Sequence, residues 1–284
     1  MPSCITHQLI AEDAEKFLPS ELSVCASAHP DYYFLGAQGP DVFFFFRPLC
    51  KKQMNLGRFL HRYRVYDVFG ALAEAPNGFS SFHRARMTAY LAGFLCHYCT
   101  DVAFHPFVYA YLQAHNADKT EHQLMESDWD VYFARTRRGR GAEHWKFPFS
   151  AKTVNGEGTL YLLYARLCDK LGLPDPHKAK FERGISFFER YLKFFHKTSR
   201  HKAWAKTERV FHISPVVSAL YPRKNPNPDW LFGKELSALC NAESIDELYG
   251  RAVEEIARLA PLLLSSPLPR AEFNKNFLTA EPTE

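Results

Sequence analysis

The 284-residue chain lacks any apolar run near the ~20 residues that a membrane-spanning helix needs; the longest, such as Val42 to Phe46, stop far short. Glycine (14) and proline (18) are too few, and too scattered, for a collagen-like or low-complexity protein. The opening stretch, MPSCITHQLIAEDAEKF, has no basic segment leading into an apolar one, so no signal peptide is expected. Cysteine is odd in number (7, at positions 4, 25, 50, 96, 99, 168 and 240), which argues against a disulfide framework and for a reducing compartment. A cytoplasmic location is the expectation. Charge is nearly balanced: 35 Lys and Arg against 31 Asp and Glu give +4, too little to argue for nucleic acid. What is abundant is core material. Hydrophobic residues make up 46% of the chain, and 25 Phe, 14 Tyr and 4 Trp could furnish a large core or an apolar pocket.

Apolar residues recur with helical period through most of the chain, and no convincing alternating strand or internal repeat is seen. The fold class expected is all-α. Helices are expected from Ile10 to Phe17, over 56–72, from Ser81 to Phe104 with an end at Pro106, and from Glu121 to Phe133. Further helices are expected near 157–172, 178–200 and 244–265. One domain over 1–284 is expected, with a metal-ligand lobe at 1–135 and a helical lobe at 157–284. The segment from Arg135, beginning RTRRGRG, reads as the loop between them.

The chemistry-bearing residues cluster in the first half. His97, Asp101 and His105 stand at i, i+4 and i+8 in HYCTDVAFH, within one face of a helix. His97 and His105 are ~12 Å apart along the axis, too far for one zinc with bonds of roughly 2 Å. The spacing implies more than one metal with Asp101 between them; the alternative is a polar face turned to solvent. The apolar flanks favour burial, where charges need partners or metals. His122 and Glu126 repeat the i, i+4 pair one helix later, either as a chelating pair or as a solvated face, and Asp130 continues the row as a supporting group. Asp41 follows Gly39-Pro40, a turn that could project its carboxylate or serve only as an Asx-type turn. His7 and His61, taken singly, read as core histidines.

In order, His7 with Ile10, Phe34 to Asp41 (FLGAQGPD), Gly57 with His61, Ala89 to Pro106, and His122 with Glu126 resemble the zinc-dependent phospholipase C family. The resemblance covers about residues 1–135, and Asn225 to Trp230 and Glu243-Ser244 echo later family features. It implies an all-helical fold holding two or three zinc ions and hydrolysing phosphate esters, phospholipid first among them, with peripheral membrane contact. It further implies that His7, Asp41, His61, His97 and Asp101 hold the inner metals, with Asp41 also the general base. His105, His122 and Glu126 would hold a neighbouring zinc with a position open to water. Secreted members use the amine of a processed first residue, which would fall here on Met1 or Pro2. The short step from Asp101 to His105 is similar to glycosylphosphatidylinositol-phospholipase-related and uncharacterised bacterial branches. No β-rich membrane-docking domain of the kind toxins append is found.

Two alternatives stay open: a zinc nuclease or soluble phosphodiesterase, and a zinc-stabilised helical protein without turnover. Eight ligand types for several metals are too few to close every site with four protein donors, which favours water-bearing sites. Other features take plainer readings. Cys96 and Cys99 lack a second pair and read as packing residues; Phe43 to Phe46 read as core before acyl wall. Arg135, Arg137, Arg138 and Arg140 read as a solvated loop before a headgroup site. His83, His115, His144, His177, His196, His201 and His212 have no spacing that recommends them.

Overall fold

The computed structural model describes residues 3–45, 55–195, 198–212, 218 and 221–283. Helices dominate, and among the described residues the extended pairings are the isolated bridges Phe232–Ser244 and Lys275–Pro282. The fold is all-α. The helices are α1 (Cys4–Ala14), α2 (Ser20–Ala28), α3 (Pro30–Ala37), α4 (Leu56–Arg62), α5 (Val65–Glu74), α6 (Ser81–Ala114) and α7 (Lys119–Arg138). They continue as α8 (Ala151–Glu157), α9 (Thr159–Leu171), α10 (Lys178–Phe195), α11 (Thr198–Val210), α12 (Lys234–Cys240) and α13 (Ile245–Leu259).

The long helix α6 is the axis of the molecule, about 50 Å at 1.5 Å per residue. Its middle is apolar on every side, and from Met87 to Asp101 only Thr88 is not fully buried. A helix of that character needs neighbours all round. It finds them in α1, α2, α3 and α13. The α3 contact is the closest: a Cβ on Gly93 would lie 1.9 Å from the Tyr33 carbonyl oxygen, and one on Gly36 would lie 2.2 Å from that of Tyr90. The two glycines let the backbones touch, and this sets the segment after α3 directly over His97.

Several boundaries differ from the sequence expectation. Pro106 does not end α6, which runs on to Ala114, because buried Phe104, Phe107 and Val108 hold the turn that proline weakens. The single helix expected over 56–72 is two. Tyr63 is extended and Arg64 left-handed (φ 50°), anchored where its guanidinium donates to the Leu171 carbonyl at 3.0 Å. Helix α7 continues through Arg135 to Arg138 and is closed by Gly139 at φ +61°, so the loop starts later than expected. Helix α1 begins at Cys4, not Ile10, because Asp130 of α7 accepts from the Thr6 amide and hydroxyl, both at 2.8 Å, and so satisfies an orphan amide of its first turn. In the second half, the helix expected over 178–200 is described to Phe195, with residues 196–197 outside the described part, and α13 stops at Leu259 ahead of Pro261.

Candidate metal centre

Four helices and one turn deliver the polar groups to the side of α6. Helix α1 supplies His7, the 3-10 turn Gly39–Phe45 supplies Asp41, α4 supplies His61, α6 supplies His97, Asp101 and His105, and α7 supplies His122 and Glu126. Two further glycines make room. Gly39 has φ +51°, and a Cβ there would sit 2.3 Å from the His97 ring; one on Gly57 would lie 2.9 Å from the Pro40 carbonyl oxygen. Neither position tolerates a side chain without moving a neighbour of the site.

Asp101 lies at the centre. Its Oδ1 is 3.1 Å from His7 Nε2 and 3.6 Å from His105 Nδ1; its Oδ2 is 3.2 Å from His97 Nε2 and 3.5 Å from His61 Nε2. Asp41 Oδ1 stands 3.2 Å from His61 Nε2. One turn further along α6, His105 Nε2 is 3.4 Å from Glu126 Oε1 of α7, which also stands 3.2 Å from His122 Nε2. The donors fall into three groups that could hold a metal ion: His7, His97 and Asp101; Asp41, His61 and His97; His105, His122 and Glu126. All eight residues picked from the sequence are therefore brought together.

Donor atoms on a tetrahedral zinc with bonds of ~2.0–2.1 Å are separated by about 3.3–3.4 Å, and the separations here fall on either side of that value. The histidines are also oriented as ligands. His7, His61, His97 and His105 donate Nδ1–H to the carbonyls of Ser3 (2.7 Å), Gly57 (2.6 Å), Ala37 (3.3 Å) and Phe277 (3.1 Å). A carbonyl only accepts, so the proton is fixed on Nδ1 and the lone pair of each neutral ring is on Nε2, pointing inward. Asp101 Oδ2 and His122 Nε2 are buried without a hydrogen bond, a costly state for polar atoms unless a cation completes them.

Burial alone would raise the Asp101 and Glu126 carboxyls, but nearby positive charge, including the surrounding histidines, holds both well below the carboxylate range. Burial opposes charge on His105 as well, yet Asp101 and Glu126 raise it to about 9. His97 goes the other way, because its burial outweighs the charge of Asp101. Asp130, fully inside, is pushed by burial to about 7 despite its bonds to Thr6, and it supports the start of the helix that carries His7.

The site is nearly enclosed. The most exposed of the eight side chains are His122 at 16% and Asp41 at 13%. Half-buried Phe44 and Tyr109 lie beside the centre, with ring centroids 5.4 Å from His61 and 5.6 Å from His122. The far side is closed by Phe277, which sequence reasoning did not single out. Its ring lies 5.2 Å from that of His61 and 5.9 Å from that of His97, and its amide donates to the His61 carbonyl at 2.9 Å.

The remaining features fall outside the centre. Cys96 and Cys99 are buried packing residues; burial pushes the Cys96 thiol up to about 12. Phe43 is core, packed on Tyr164 and Phe181. Phe46, His196 and the first two residues, on which the amine ligand of secreted members would fall, lie outside the described residues. Arg137 pairs with Asp246 and Arg138 with Glu12 and Asp13, so these two bases are engaged with their own protein. No helix among the described residues is long and apolar enough to cross a membrane.

A family model described as zinc dependent phospholipase C matches residues 6–170, more than half of the chain and all of the eight residues. No curated protein and no solved structure matches the chain.

Proposed function

The chain belongs to the zinc-dependent phospholipase C family, and from that premise we propose that it hydrolyses phosphodiesters of the phospholipid type at the buried histidine–carboxylate centre. The observation that carries this reading is the convergence of Nε2 lone pairs and ionised carboxylates beside the partly open Asp41. One zinc would be held by Asp41, His61 and His97 with Asp101 Oδ2, and one by His105, His122 and Glu126. A third would be held by His7 and Asp101, because His97 has a single Nε2 and cannot serve two ions with it. Zinc held there would supply positive charge for the phosphate oxygens and make a water more acidic.

The protein's own groups do the rest. The backbone carbonyls behind four histidines keep the donors in place before substrate arrives, so no reorganisation is needed at the reaction. Asp41, whose carboxyl burial would raise but which nearby positive charge, including His61 and His97, holds at about 2, is ionised and accepts the proton of the attacking water. Phe44 and Tyr109 offer apolar surface to the non-phosphate part of the substrate.

The test pairs metal analysis with turnover. Purified protein should carry about two to three zinc equivalents and hydrolyse bis-nitrophenyl phosphate and phosphatidylcholine, with activity lost to a chelator and restored by zinc. Turnover of single-stranded nucleic acid alone would move the assignment to a nuclease. Zinc-replete protein that turns over none of the three would be a zinc-stabilised structural protein.

Zinc uptake should also depend on pH with a definite sign. In the metal-free protein His105 stays protonated up to about pH 9, and proton and zinc compete for its Nε2. Apparent zinc affinity should therefore rise by up to about tenfold per pH unit from about 7 toward 9, with release of a proton readable by calorimetry in buffers of different ionisation enthalpy. Because the folded pKa is raised, the charge stabilises the metal-free fold fully below about pH 6.5, and that contribution fades as pH rises through about 9.

A further inference from the structure

The charge of the chain is unevenly placed. Residues 178–212 hold ten Lys and Arg against three Glu, a net +7 within a protein of +4, so the remainder is net negative. The same segment is where apolar side chains are left in solvent. Phe187, Phe194, Trp204, Val210 and Phe211 are 40–66% exposed, five of the eleven large hydrophobics so placed among the described residues. On α10, exposed Arg183, Phe187, Arg190 and Phe194 recur at i, i+4, i+7 and i+11, which is one face of a helix. Arg200 of α11 lies over the Phe194 ring, 4.5 Å from its centroid, and joins the second helix to that face. Of the α11 side chains described, only Glu208 is buried.

We propose that the outer face of α10 and α11 docks the protein on an anionic phospholipid bilayer. The basic residues meet the headgroups, and the exposed aromatic and aliphatic side chains enter the interface. The assignment to lipid rests on the phospholipid reading of the metal centre, whose Asp41 turn packs against the same helix: inward-facing Phe181 of α10 lies on Phe43, 5.5 Å between ring centroids, two residues from Asp41. Docking by the outer face would therefore hold the Asp41 turn near the membrane. Single-stranded nucleic acid also takes a basic, aromatic surface, by stacking bases on free ring faces. Here guanidinium groups already lie over the rings of Phe187 and Phe194, and Val210 and Phe211 add apolar surface beyond them. Insertion of ring edges fits this surface better than base stacking.

The test is sedimentation of the full, zinc-replete chain with vesicles of phosphatidylcholine alone and of equimolar phosphatidylcholine and phosphatidylglycerol. The expected result is pelleting with the anionic vesicles only, weakened by salt. Reversing Lys202, Lys206 and Arg209 to Glu together should lower partitioning by more than about a hundredfold, since each base near such a surface is worth about fivefold. Trp204→Ala with Phe211→Ser should also reduce binding, and Trp204 emission should shift to shorter wavelength on the anionic vesicles. All these side chains are exposed, so circular dichroism of the variants should match that of the parent. Equal pelleting with both vesicle types, or binding unchanged in the charge-reversed variant, would overturn the proposal. So would no pelleting together with tight, reversal-sensitive binding of a uridine homopolymer, which would assign the face to nucleic acid. Hydrolysis of the soluble bis-nitrophenyl ester, followed in parallel, separates the two readings. Turnover without vesicle binding refutes docking alone, and vesicle binding without turnover refutes the catalytic reading alone.

Discussion

Replacing Asp101 with alanine should release more than one zinc ion at once. Both carboxylate oxygens are engaged, Oδ1 toward His7 and His105 and Oδ2 toward His97 and His61, whereas His97, which two of the groups share, has a single inward nitrogen. The variant also leaves four histidine nitrogens without the negative charge of Asp101 in a nearly enclosed site. Breaking a buried ion pair by removing one partner costs on the order of 3–5 kcal/mol, so a clear fall in Tm should accompany the metal loss. His122→Ala is the control. His122 is in the outer group with Glu126 and His105, and its loss should free about one ion, with a smaller effect on stability, because it is the most exposed of the eight. Zinc content of the two variants under one chelator titration decides the matter. Equal single-ion losses would make Asp101 a ligand to one metal only, and full retention in Asp101→Ala would remove this face of α6 from the centre.

What the sequence made legible is what is local along a helix. The row His97, Asp101, His105 and the pair His122, Glu126 could be read because i, i+4 neighbours share a face whatever the tertiary structure. Pro106 misled because a proline rule speaks of backbone preference, while the turn around it is decided by the burial of Phe104, Phe107 and Val108. The break at Arg64 was hidden for a similar reason: its left-handed backbone is anchored by a carbonyl on α9, 107 residues further along the chain. Phe277 carried no signal at all. It orients His105 across 172 residues through its backbone carbonyl, a group every residue possesses, and lies beyond the stretch that the family model matches. The motif glycines fall between these cases. Their positions were visible, but only the distances to the Tyr33, Tyr90 and Pro40 carbonyls and to the His97 ring explain why glycine stands at 93, 36, 57 and 39.

Asp41→Asn should abolish most turnover while the protein keeps most of its zinc. Asparagine has the size of aspartate and retains one oxygen where Asp41 Oδ1 faces His61 at 3.2 Å, but it cannot take a proton. General base catalysis contributes about 10²–10⁴-fold. With its carboxyl held well below the usual carboxylate range, Asp41 is a weak acceptor, so the loss in kcat should lie toward the lower part of that range. The same low value fixes the pH dependence of the parent enzyme. A depressed carboxyl stays ionised from neutrality down, so protonation of Asp41 should take no activity away above about pH 4. An acid limb seen higher must then come from histidines that lose metal as they gain protons, and added zinc should move it to lower pH. The decisive measurement is the kcat of Asp41→Asn on bis-nitrophenyl phosphate, with metal content determined on the same sample. A near-normal rate with zinc in place would exclude Asp41 as the base and leave it a metal ligand alone.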